Sequence, residues 1–287
     1  RLFAASTNYQ IFSNPKTTIY QFTINNQLEL LSQGEVEGYL LNSFAMDYYN
    51  DHLRVASTTF KNQVSVNSIT VFNRSMNKIA TLGNLAKDES IYSVLFKQDT
   101  AYVVTFKQID PFFVIDLSTP SNPKVLGELK IPGFSSYLHK VDQDHVLGFG
   151  KDVDPTNEML IAGAFKLSLF DVSDKSDPIE IDTLMIGSGG TYGDILYDHK
   201  ALMVDPQRKL FGFVLSNYDF FVREGDTAVS DEGYFQELIV VKIIDQTIEV
   251  QFRHKSSKDD ALIRSLIIED SLYLLSSNSM SVYSLSD

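Results

Sequence analysis

Residues 114–129 read V-I-D-L-S-T-P-S-N-P-K-V-L-G-E-L, and residues 169–184 read L-F-D-V-S-D-K-S-D-P-I-E-I-D-T-L. Asp116, Ser118, Ser121, Pro123 and Leu129 fall on Asp171, Ser173, Ser176, Pro178 and Leu184, a constant offset of 55 (171 − 116). Each copy is a short apolar strand, a turn rich in Asp, Ser and Pro, and a second alternating strand. Strands repeating at that period predict an all-β fold, a β-propeller of four-stranded antiparallel blades. Propellers host many unrelated activities, so the architecture is fixed more sharply than the task.

The same unit recurs along the chain. The expected hairpins are Phe44–Met46 with Leu53–Ala56, Tyr92–Phe96 with Tyr102–Thr105, Tyr137–Val141 with Val146–Phe149, Lys200–Val204 with Leu210–Val214, and Ile263–Ile268 with Leu272–Leu275. Their turns carry Asp51, Asp99, Asp144, Asp205 and Asp270, spaced 48, 45, 61 and 65 residues apart by subtraction. Asp in a tight turn bonds nearby backbone and tolerates unusual dihedrals. With strands lettered a to d in chain order within a blade, the expected c strands are Ile69–Phe72, Phe112–Ile115, Lys166–Phe170, Leu238–Ile243 and Ser281–Ser284. The d strands are Lys78–Leu82, Lys124–Leu129, Ile179–Leu184 and Ile248–Phe252. The chain enters this cycle at strand b, with Leu2–Ala5, Thr18–Thr23 and Leu28–Ser32 as b, c and d. About six modules result, the first lacking strand a and the last lacking strand d, at about 1–38, 39–86, 87–132, 133–190, 191–256 and 257–287. They are expected to form one propeller domain within a longer chain. Helical periodicity is confined to a short window, Asn157–Ala164.

Of 287 residues, 44% are hydrophobic and 12% aromatic, enough for a large core. Lys and Arg number 24 against 37 Asp and Glu, a formal charge of −13. That balance disfavours nucleic acid and anionic lipid surfaces, which reward clustered cations. The absence of cysteine removes thiol chemistry, Cys-ligated zinc and disulfides. No apolar run is long enough for a membrane span. Without tryptophan, tryptophan-docked quinoprotein propellers, W-D repeats and Trp-lined sugar clefts are excluded, although 14 tyrosines remain to stack on sugars.

T-T-I-Y-Q-F (17–22), I-Y-S-V-L-F (91–96), Y-V-V-T-F-K-Q-I-D-P-F-F-V-I-D-L-S (102–118), K-V-L-G-E-L-K-I-P-G-F-S-S-Y-L-H (124–139), K-L-S-L-F-D-V-S-D (166–174) and L-Y-D-H-K-A (196–201) carry a resemblance that spans nearly the whole chain. The chain resembles bacterial and archaeal secreted proteins with a C-terminal β-propeller domain distantly related to WD40 repeats. The resemblance implies a propeller that is secreted or membrane-anchored on the extracytoplasmic side. It supplies no catalytic residues.

In a four-stranded blade the b–c and d–a loops share one end, and here the b–c segments Lys151–Ala164 and Asn217–Phe235 are long. Insertions gathered at one end mark a binding face in repeat proteins. The expected ligand-binding face comprises Tyr137, His139, Tyr192, Asp194, Asp198, His199, Tyr218 and Asp219, engaging a protein or cell-envelope glycan. No catalytic residue, metal or cofactor is expected. His139 and His199, each expected at the start of an a strand, would have to meet before a hydrolase or lyase at the channel mouth became the better reading, and satisfied structural histidines are commoner. Ser135 and Ser136 precede His139 without a G-x-S-x-G elbow. Asp152, Asp154, Asn157 and Glu158 cluster oxygen ligands, but Asn157 and Gly163 stand where an EF-hand has glycine and glutamate. The second acidic loop, Glu224 and Asp226 through Asp231 and Glu232, matches no motif. Gly187-Ser188-Gly189-Gly190 lacks the lysine of a phosphate loop.

Overall fold

The computed structural model describes residues 1–9, 14–62, 64–106, 110–153, 162–218, 222–223, 226–227, 234–256 and 259–285. Two compact units emerge: Arg1–Phe134 with Asp174–Pro178, and Ser135–Ser173 with Ile179–Asp287.

In the first unit, Leu2–Asn8, Lys16–Ile24 and Leu28–Glu37 form a three-stranded antiparallel sheet. Met46–Tyr49, His52–Lys61, Val64–Phe72 and Lys78–Leu85 form the second sheet. Ser90–Lys97, Thr100–Phe106, Asp110–Asp116 and Lys124–Ile131 form the third. In the second unit, Phe134–Lys140, His145–Val153, Ala162–Asp171 and Ile179–Ile186 form the fourth sheet, all but its first residue lying in that unit. The fifth has Leu210–Tyr218, Tyr234–Ile244 and Thr247–Lys255, with Thr191–Gly193 and Met203–Asp205 sharing one edge. The last has Leu262–Ile268, Ser271–Ser276 and Met280–Ser284. Val222–Arg223 and Asp226–Thr227 pair as a separate small ladder. The expected antiparallel four-strand plan is present, every expected c and d strand with it.

Alternation explains the packing, because successive residues of a strand face opposite sides. Ile19 and Val36 of the first sheet are buried with Leu53, Val55 and Phe72 of the second. The other side of the second sheet, Ala56, Ile69 and Val71, packs on Val94, Val103, Phe113 and Ile115 of the third. In the second unit, Leu147, Phe149, Phe165 and Leu167 meet Phe211, Phe213, Ile239 and Val241. Leu238 and Val240 meet Leu272 and Leu274. Each such Val, Leu, Ile or Phe side chain contributes roughly 1.5–3 kcal/mol through burial.

The 55-residue echo extends into backbone geometry. Asp116 Oδ1 accepts from Ser118 N at 2.9 Å and Asp171 Oδ1 from Ser173 N at 2.8 Å. The Leu117 and Val172 amides donate to Asp99 O and Asp144 O, both at 2.8 Å. The c–d register shifts between Val114 and Ile115 in one sheet and between Leu169 and Phe170 in the other, again 55 apart. Leu285 N repeats the contact on Asp270 O at 2.8 Å, which identifies Met280–Ser284 as a c strand.

Two expected a strands differ from the structure. Phe44–Met46 is largely a 3-10 turn, Ser43–Ala45, whose Asn42 cap accepts from Phe44 N, and the strand begins at Met46. Lys200–Val204 likewise begins in a 3-10 turn, His199–Ala201, capped by Asp198 accepting from Lys200 N, and the strand is Met203–Asp205. Asn and Asp side chains offer the backbone an alternative to the sheet ladder, and apolar alternation does not register it. Of the helical window, 157–161 lie outside the described residues, and Ala162 begins a strand.

Candidate functional site

The fifth sheet carries the most elaborate surface. Its leading edge is interrupted: Thr191–Gly193 pairs with Leu215–Asn217, Met203–Asp205 pairs with Leu210–Gly212, and residues 194–202 leave the ladder between them. Two 3-10 turns, Asp194–Leu196 and His199–Ala201, fill this excursion. Ile195 and Leu196 anchor it in the core, while Tyr197 stands 84% exposed. Arg264 of the last sheet ties it down, donating to Asp198 Oδ2 at 3.0 Å and to Lys200 O. The Lys200 amide, offset in part by desolvation, and Arg264 hold the Asp198 carboxyl below its ordinary range.

Tyr192, Tyr218 and Tyr234 gather at the end of the sheet where strands b and c join. Tyr218 and Tyr234 are cross-strand partners with ring centroids 4.9 Å apart. Tyr192 pairs with Ser216, two residues away from Tyr218. All three are exposed. Beneath Tyr192 lies a residue the sequence reading passed over. Lys151 is 2% exposed, donates to Thr191 O at 2.6 Å and Gly189 O at 3.3 Å, and places its ammonium 4.5 Å from the Tyr192 ring centroid. Desolvation lowers its pKa to about 8. Thr191 Oγ1 donates to Asn217 Oδ1 at 2.8 Å and accepts from Ser188 N at 2.9 Å, while Asn217 Nδ2 is buried without a partner. In sequence, Lys151 reads as the first residue of a polar loop. Its burial depends on neighbours about forty residues away.

Gly187 and Gly190 serve close approach. A Cβ on Gly187, whose φ is +70°, would lie 1.9 Å from Thr191 Oγ1, and one on Gly190 would lie 2.2 Å from Tyr218 O. The segment is a tight corner locked by Lys151 and Thr191.

The expected face divides into parts. Tyr192 and Tyr218 come together at one end, and Asp194, Asp198 and His199 lie on the excursion. Tyr137 and His139 lie elsewhere. His139 is the sixth residue of Phe134–Lys140, beside the a–b turn and not at the strand's start. It is half-buried against Phe211 at 5.7 Å, and its Nδ1 meets the Tyr137 hydroxyl at 2.9 Å. Burial lowers the His139 pKa to about 4 and raises that of Tyr137 to about 12, so both are neutral near neutral pH. His199 falls inside a 3-10 turn, not at a strand start. A His–Asp contact lies at a different place, His145 Nδ1 to Asp142 Oδ1 at 2.7 Å, in an a–b turn where Lys209 also donates to Asp142 at 2.7 Å. Burial there is outweighed by those donors, and the Asp142 carboxyl is held well below its usual range.

Asp219, Asp154, Asn157, Glu158, Glu224, Asp231 and Glu232 lie outside the described residues. Among the described residues no three His, Asp or Glu side chains are grouped to hold a metal ion, and no helix is long and apolar enough to cross a membrane.

The chain belongs to the beta propeller domain family, which matches residues 2–287. An uncharacterized protein of Archaeoglobus fulgidus is 36% identical over 270 residues, covering 93% of this chain and 37% of that protein. Another, from Methanocaldococcus jannaschii, is 36% identical over 258 residues, covering 88% of this chain and 36% of that one. The chain thus spans little more than a third of these relatives. Among solved structures, a chain from the complex of KlAtg21 with the coiled-coil of AgAtg16 gives a TM-score of 0.46 at 14% identity, covering 94% of this chain and 75% of that one. The C-terminal WD40 domain of Sif2 gives 0.32 at 10% identity, covering 95% and 90%. Both likenesses are remote.

Proposed function

We propose that this chain is a non-catalytic binding or scaffold propeller whose fifth sheet presents the ligand face, with Tyr192, Tyr218 and the excursion 194–202 at its centre. The observation that carries the reading is the set of exposed tyrosines around a corner locked by a buried lysine. Aromatic side chains on a rigid support supply contact area at low entropic cost. The hydrolase or lyase alternative is not favoured: His139 bonds the Tyr137 hydroxyl and is held neutral by burial, and His199 lies in a separate 3-10 turn. The partner we propose is a protein or a cell-envelope glycan on the extracytoplasmic side. That setting rests on the sequence resemblance. We further propose that the sheets are about six modules of one propeller domain within a longer protein.

The test is capture from envelope extract by the wild-type chain and by a Tyr192→Ala/Tyr218→Ala variant. The reading expects a saturable partner that the variant loses while its melting temperature is kept. Equal capture by both chains would remove the tyrosine face from the function.

A further inference from the structure

Within the first unit, the face that the second sheet turns toward the first changes character along its strands. Leu53, Val55 and Phe72 close one stretch of it against Ile19 and Val36. Alternation carries the same face on to Ser57 and Thr59, and across the register to Ser68 and Thr70. Thr81 stands opposite Thr70 on the outer strand. Here a cavity of about 300 Å3 opens, walled by Thr59, Ser68, Thr70 and Thr81. Glu37, Lys61 and Lys78 form its exposed, charged rim. That volume lies at the lower end of the range for small-ligand sites. All these residues but Glu37 belong to the four-stranded second sheet, and Glu37 ends the third strand of the first.

One wall residue is left incomplete. Thr59 is 5% exposed, and its hydroxyl is buried without a hydrogen-bond partner. An unpaired buried hydroxyl is costly, and native structures seldom keep one without a water or ligand to meet it. The other protons can be traced. The Ser57 hydroxyl donates to Glu37 O at 2.9 Å, so in its 3.2 Å contact with Ser68 the proton comes from Ser68. The Thr70 and Thr81 hydroxyls, 3.2 Å apart, share one proton and leave the other over. Lys61 lies 3.8 Å from Glu37 Oε2, and Lys78 makes no ion pair among the described residues. The Thr59 proton, the spare threonine proton and two ammonium groups therefore exceed the acceptors at hand. Two lysines against one carboxylate give a local balance of +1 (2 − 1) in a chain of formal charge −13. Charge-assisted bonds to an anion are the strong use of such donors, and four donor groups suit four oxygens better than the two of a carboxylate. We propose that this cavity binds a small tetrahedral oxyanion, a phosphate or sulfate group, with Thr59 Oγ1 and the Lys61 and Lys78 ammoniums among its donors. The site is separate from the tyrosine face of the fifth sheet and does not depend on it.

Titration calorimetry at constant ionic strength tests this, with inorganic phosphate, sulfate, glucose 6-phosphate and glucose as probes. Saturable binding of one phosphate or sulfate per chain is expected, with a rise in melting temperature. Amide shifts on adding phosphate should be confined to 57–61, 66–70 and 78–84. Thr59→Val keeps the shape and removes the donor, so it should weaken binding at least about tenfold, and Thr59→Ser should restore it. Lys78→Met, on the exposed rim, should weaken binding by a similar factor, and it decides the matter should Thr59→Val fail to fold. Tighter binding of glucose 6-phosphate than of phosphate would mark an ester as the natural form, and equal or weaker binding the free ion. No saturable binding of any anion overturns the proposal. So does unchanged affinity in either folded variant, and so does glucose binding as tightly as its phosphate.

Discussion

The second and fifth sheets interrupt their leading strand by the same device, and only one of them builds a surface from it. In the second, Tyr39 bridges Thr58, Asn42 caps a 3-10 turn, and the strand resumes at Met46. In the fifth, Thr191–Gly193 stands in for the bridge, Asp198 caps the equivalent turn, and the strand resumes at Met203. The glycine before each break is forced by the same neighbour: a Cβ on Gly38 would lie 2.2 Å from Thr58 O, and one on Gly190 equally close to Tyr218 O. The difference is length. The fifth sheet inserts a further 3-10 turn and an exposed tyrosine where the second turns back at once. The break belongs to the scaffold, and the insertion is free to carry function.

Truncation of the core tests whether packing holds the fifth sheet despite its broken edge. Phe213 is fully buried, stacked 5.5 Å from Phe165. Phe213→Ala is expected to cost about 3–5 kcal/mol in denaturant unfolding. A loss below about 1 kcal/mol would mean that the two sheets do not share a core. Next come the paired glycines. Gly38→Ala and Gly190→Ala should each destabilise by more than about 1 kcal/mol, because a backbone oxygen cannot give way as a side-chain tip can and Gly38 also has a positive φ. If one is tolerated and the other is not, the two breaks are not equivalent. The caps follow: Asn42→Ala should cost about 1 kcal/mol, and Asn42→Asp much less. Asp198→Ala should act in the same direction and also release Arg264, visible as faster amide exchange across 198–202.

Acidity distinguishes the regions by pH window, since stability rises with pH in both. The folded state depresses the His139 pKa from 6.5 to about 4, so its contribution is complete above 6.5 and is lost as pH falls toward 4. His139→Gln should flatten the melting-temperature profile in that window. Lys151, depressed from 10.5 to about 8, is penalised while charged, so stability should rise between about 8 and 10.5. Lys151→Met should abolish that rise, and an unchanged alkaline slope would show that its ammonium is not desolvated. The smallest effect on stability is expected from Tyr192→Ala, within about 0.5 kcal/mol, since the ring lies on the surface. A larger loss would recast Tyr192 as the lid on Lys151 rather than a contact residue.

The repeat was legible in the chain because both its signals are local. Alternation of apolar residues specifies a half-buried strand, and Asp with Ser two residues later specifies a turn that bonds itself, so Asp116 and Asp171 marked equivalent corners before any coordinates. The register shifts after Val114 and Leu169 follow the same offset, although no residue type announces them. The caps at Asn42 and Asp198 were also written in the sequence, but the alternation that follows them read as strand from Phe44 and from Lys200, where 3-10 turns stand. The functional surface was only half legible: Tyr192 and Tyr218 could be nominated from their loops, whereas the positions of His139 and His199 along their strands could not. Lys151 was invisible. A lysine becomes a buried clamp through carbonyls supplied by Thr191 at the edge of another sheet and by Gly189 in the turn before it, and only tertiary structure decides which backbone oxygens arrive there. Whether an apolar strand face is covered is likewise a property of its neighbours, so Leu30 and Ile19 look alike in the chain and differ wholly in the fold.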